Sequence, residues 1–186
     1  MCDLSPLFTA LTVAGVLILA SVAAIVVAQA ANAGVFSAAA APFAMGAAAA
    51  SAAAASVTLF TASNRVEEFF VCAGSPDLCR TQASELEFAL QGLASVLAVQ
   101  ALAAAACAAV AWIPYAAQPA MQVIRYALMA QIAVVALVTK YANDFLKCVE
   151  SIGARKIPSP LIVAAIAVIV IGLPLIYRPR GSATPR

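Results

Sequence analysis

Histidine is absent from this 186-residue chain. That absence removes the commonest general base and the commonest metal ligand together. Charge is scarce too. Charged residues are 10% of the chain, against about 25% in an ordinary soluble domain, which excludes the soluble globular class. With a net charge of +2 and no cluster of Lys and Arg, the composition gives no foothold for a nucleic-acid partner. The five cysteines, Cys2, Cys72, Cys79, Cys107 and Cys148, form no C-x-x-C pair, so zinc ribbons and thioredoxin-like motifs are unsupported. Nucleophile elbows, phosphate-binding glycine loops and zincin motifs are missing as well. The expectation is a protein that is not an enzyme, with no catalytic residue, no metal site and no cofactor.

What the chain has in quantity is apolar sequence: 65% of its residues are hydrophobic and its mean hydropathy is +1.03. Uncharged runs long enough to cross a bilayer as helices recur between the few charges. They predict an all-α integral membrane protein, a single transmembrane helical bundle over 1–186. Five transmembrane helices are expected, at about 7–31, 34–62, 88–112, 122–146 and 157–177. A polar loop at 63–87 and a short C-terminal tail at 178–186 complete the division. The fourth run is the weakest, because only 126–139 is free of charge. It is rescued if Arg125 and Lys140 snorkel to the interfaces. The alternative is four spans plus one re-entrant or interfacial segment. Ala28-Gln29-Ala30 imitates a signal-peptidase site, but no Lys or Arg precedes the first apolar run and that run is long for a signal peptide. The segment is expected to stay.

The most unusual stretch is Gly46-Ala-Ala-Ala-Ala-Ser51-Ala-Ala-Ala-Ala-Ser56. Small side chains let another backbone approach closely, and in lipid close packing is a main source of helix association. Gly46, Ala50, Ala53 and Val57 fall on one helical face, which predicts a helix-packing interface there. Gln100 and Gln131 are polar groups within spans three and four, expected to seek hydrogen bonds on neighbouring helices.

In the polar loop, Gly74-Ser75-Pro76-Asp77 is a turn signal flanked by Cys72 and Cys79, which predicts a disulfide between them. Ser84 and Glu87 have the spacing of a capping box at the start of span three. Five spans put the N-terminus, the 63–87 loop and Cys148 on one side. The aromatic residues Trp112, Tyr115, Tyr126 and Tyr177 then fall near the other. Basic residues barely distinguish the sides, and the cysteine-bearing side is expected to face out, giving N-out and C-in.

The functional expectation is a multi-pass protein of a plasma or inner membrane. It would be a structural or accessory subunit, a homo-oligomer or a partner of other membrane subunits, joined through the small-residue face. A pore of channel, toxin or holin type is the runner-up, with Ser51, Ser56, Gln100 and Gln131 as sparse lining. A membrane thiol-disulfide oxidoreductase using Cys72 and Cys79 is third.

Overall fold

The computed structural model describes residues 5–32, 35, 37, 39–73, 79–110 and 117–150. They form four helices: α1 (Ser5–Asn32), α2 (Ala40–Ala73), α3 (Arg80–Val110) and α4 (Ala117–Glu150). All four are long and apolar enough to cross a membrane. The predicted fifth span, 157–177, and the tail lie outside the described residues. The fourth element is a full-length helix of 34 residues, about 50 Å at 1.5 Å per residue.

Three of the four helices start where the chain supplies proline. Pro6, Pro42 and Pro119 each fall in a first turn, where the missing N–H costs no intrahelical bond. Pro42 therefore opens α2 six residues later than the span expected from 34. The link from α1 is correspondingly longer, and Val35 N–H donates to Ala30 O (3.0 Å) across it.

The polar loop expected at 63–87 is mostly helix. α2 continues to Ala73 and α3 begins at Arg80, so the two helices extend past their apolar parts. Arg65 pairs with Glu68 one turn on, a local contact that a helix provides. Ser84 does not cap α3. It lies inside the helix and donates to Thr81 O (2.9 Å), while Glu87 accepts from Gln91 Nε2 (3.1 Å).

Each helix packs against the next in sequence, α1 on α2, α2 on α3 and α3 on α4, so successive helices run antiparallel. The buried positions repeat every seven residues. On α1 they include Leu7, Ala14, Ser21 and Ala28, with Leu11, Ile18 and Ile25 between. On α2 they are Met45, Ala52, Leu59 and Val66, with Ala48, Ala55 and Ala62. On α3 the set is Ala83, Leu90, Leu97 and Ala104, with Leu86, Leu93, Gln100 and Cys107. On α4 it is Ile124, Gln131, Val138 and Phe145, with Leu128 and Val135. A seven-residue repeat keeps one seam facing inward when helices wind left-handed around each other, as in coiled coils and four-helix bundles.

The outside of the bundle is as apolar as the inside. Val16 is 60% exposed, Phe88 79%, Leu102 73% and Tyr126 70%. Water would penalise such a surface, whereas a bilayer welcomes it. Of the predicted aromatic belt, Tyr126 is described and outward-facing; Trp112, Tyr115 and Tyr177 lie outside the described residues.

Candidate functional site

Three contacts fix the register of the helices. Ser21 Oγ donates to Ala48 O (3.1 Å), Ser56 Oγ donates to Ala94 O (2.8 Å), and Cys79 is bonded to Cys148. Followed along the antiparallel helices, they bring Arg65, Glu87 and Lys140 to about one level. This marks the polar boundary of the bundle. From it, Gln131 lies roughly 13 Å and Gln100 roughly 20 Å deep, at 1.5 Å per residue. In an apolar band of about 30 Å both amides flank the middle.

Gln100 and Gln131 sit on core positions and both are fully buried. Gln100 Nε2 donates to Ser21 Oγ (3.1 Å), and the Ser21 hydroxyl donates in turn to the Ala48 carbonyl. One chain of hydrogen bonds thus joins α3, α1 and α2, as expected for a polar residue buried in lipid. Sequence reasoning missed its partner: Ser21 lies in an apolar run and only its place in the heptad distinguishes it. Gln100 Oε1 and both amide atoms of Gln131 have no protein partner. Lys140 is set over the ring of its neighbour Tyr141, 5.4 Å from the centroid.

The alanine-rich helix presents two distinct faces. Met45, Ala48, Ala52, Ala55 and Leu59 face the bundle. The face of Gly46, Ala50, Ala53 and Val57, the expected interface, is exposed among the described residues, with Val57 67% accessible. A methyl group added at Gly46 would meet nothing within 4 Å. That face is not where α1 and α3 pack. The orientation has a simple cause. In a run of alanines every face is small, and the larger residues Met45, Leu59 and Val66, spaced in sevens, decide which face turns in.

The disulfide also differs. Cys79 pairs with Cys148, Cα to Cα 6.1 Å, not with Cys72 as the turn signal suggested. Continuation of α2 to Ala73 and the start of α3 at Arg80 leave Cys79 just before α3, where the C-terminal end of antiparallel α4 arrives. Cys79 is buried and Cys107 is a buried free thiol. Among the described residues no three potential metal ligands gather. No family model matches the chain, and no curated protein or solved structure is significantly similar to it.

Proposed function

We propose that this chain is a non-catalytic membrane subunit that associates with another membrane subunit through the outward face of α2. The observation that carries this reading is a contrast between lipid-facing surfaces. Outward positions elsewhere hold bulky side chains such as Val16, Phe88, Leu102 and Leu137, whereas the waist of α2 offers Gly46, Ala50 and Ala53. Alanine gains little from lipid, but a flat strip of small residues lets a second helix come close. One side of α2 serves the chain's own core, and the other is open among the described residues.

Two further observations favour this reading over its rivals. Leu90, Leu97, Leu128 and Ile25 are fully buried in the interior, which argues against a polar path through a single bundle. The thiol that an oxidoreductase would use, Cys79, is buried in a bond to Cys148, which argues for a structural bridge. Its place beyond the polar boundary supports N-out topology, since disulfides persist in oxidising compartments.

The test is cysteine crosslinking in native membranes, in a background where Cys2, Cys72 and Cys107 are replaced by serine. Ala50→Cys and Ala53→Cys should form crosslinked species that Leu102→Cys does not. Failure of both, with Gly46→Leu leaving the size of the solubilised particle unchanged, would remove the α2 interface.

A further inference from the structure

Four of the five cysteines belong to one end of the bundle. Cys79 stands just before α3 and Cys148 near the end of α4. Cys72 falls in the last turn of α2, and Cys2 lies three residues ahead of Ser5, where α1 begins. Cys107 is buried near the opposite end of α3. The bond between Cys79 and Cys148 marks their end of the bundle as one that meets an oxidising compartment. It also takes Cys79 away from Cys72.

The register of α1 on α2 brings Cys2 within reach of Cys72. Counted from the Ser21–Ala48 hydrogen bond along antiparallel helices, Ser5 stands level with about residue 64 of α2. From there to Cys72 is a rise of roughly 12 Å at 1.5 Å per residue. With a sideways step of about 9 Å between packed helices, the separation to cover is about 15 Å. The chain from Ser5 back to Cys2 spans at most about 11 Å, and a disulfide joins Cα atoms up to about 6.8 Å apart. Together they suffice. The side of α2 is right as well. Position 72 repeats Ala44, Ser51 and Thr58 in sevens along one flank of the buried stripe, whereas Ser56 and Ser63 lie on the other flank. Ser56 bonds to α3, so the flank of position 72 is the one nearer α1.

We propose that Cys2 and Cys72 form a second disulfide, which ties the start of α1 to the end of α2 as Cys79–Cys148 ties α3 to α4. The oxidant is a disulfide donor of the same compartment. The Cys72 thiolate attacks the donor's S–S bond and releases one donor thiol. The Cys2 thiolate then attacks the Cys72 sulfur of the mixed disulfide and releases the second. Two electrons and the two cysteine protons pass to the donor, which leaves as two thiols. The bond stands independently of the α2 interface.

The experiment maps disulfides in the full chain taken from native membranes, with free thiols alkylated before solubilisation. Trypsin cuts after Arg65, and cleavage before Asp3 and Asp77 separates Cys2 from the rest and Cys72 from Cys79. The expected product is the N-terminal peptide ending in Cys2 bonded to the 66–76 peptide, from protein that runs as a monomer on a non-reducing gel. In a Cys2→Ser variant, alkylation of Cys72 should rise from almost none to complete while the Cys79–Cys148 peptide is unchanged. Recovery of Cys72 from the wild type as an alkylated thiol, or bonded to any other cysteine, would overturn the proposal. A Cys2–Cys72 peptide found only in a disulfide-linked dimer would overturn it too.

Discussion

Breaking the Cys79–Cys148 bridge should loosen the bundle where it extends beyond the apolar band. The cysteines are separated by 69 residues. For a freely unfolding chain, a loop of that length corresponds to about 4 kcal/mol of lost closure entropy at 25 °C. The membrane reduces this. When tertiary packing is lost, α3 and α4 can remain inserted, so less freedom is regained, and about 2 kcal/mol is a reasonable lower figure. For a chain of this size, each kcal/mol moves the melting temperature by roughly 2 to 4 °C, so the expected fall is about 4 to 16 °C. The assay is thermal unfolding in detergent of the oxidised protein, the reduced protein, Cys79→Ser, Cys148→Ser and the double variant. Either single variant should lower stability as much as the double, because both remove the same bond. A peptide map of the non-reduced protein linking Cys72 to Cys79, or a Cys148→Ser variant that melts with the oxidised wild type, would refute the reasoning.

Other substitutions follow from the two faces of α2 and from its buried serine. Ala52→Leu adds three carbons where the helix is closed on the core, and overpacking should cost about 1 to 3 kcal/mol, read as a lower melting temperature. Ala50→Leu, on the exposed side, should leave the melting of the isolated subunit unchanged; an equal loss from both would mean the helix is rotated from the orientation described. Ser56→Ala removes an interhelical bond, and the loss should be about 0.6 kcal/mol, the average for such bonds in membranes. Ser51→Ala, whose hydroxyl is bonded within its own helix (Ala47 O, 2.7 Å), should change the melting temperature less than Ser56→Ala in the same measurement.

The helical membrane class was legible because it depends on length and apolarity, which a linear sequence displays directly. Helix ends were less so. Hydropathy ends a span where charges begin, but a helix requires only backbone bonds, so α2 continued through Arg65 and Glu68 to Ala73. That single extension also changed the cysteine pairing. With residues 63–87 taken as a loop, Cys72 and Cys79 were natural partners; with helices on both sides, Cys79 lies at the foot of α3 and meets α4. Gln100 was recognised as a group seeking a partner, and it found one. Ser21 could have been found by counting in sevens from Leu7 or Ala14, since Ser21 and Gln100 occupy core positions in their own repeats.

The same counting explains why α2 is so small on its inner side. Ala48, Ala52 and Ala55 lie where α1 and α3 close on α2: the Ala48 carbonyl accepts from Ser21 of α1, and next to Ala55 the Ser56 hydroxyl donates to Ala94 O of α3. Interiors pack to near-crystalline density, so a large side chain on one helix requires a small one opposite. The inward alanines therefore serve the close approach of α1 and α3, and their size follows from packing within one chain. No such account covers Gly46, Ala50 and Ala53, which face away from every described helix. Lipid favours larger side chains there, as the outward residues of α1, α3 and α4 illustrate. Small residues inside have a partner in this chain; those outside have none among the described residues, which is the ground for the proposed interface.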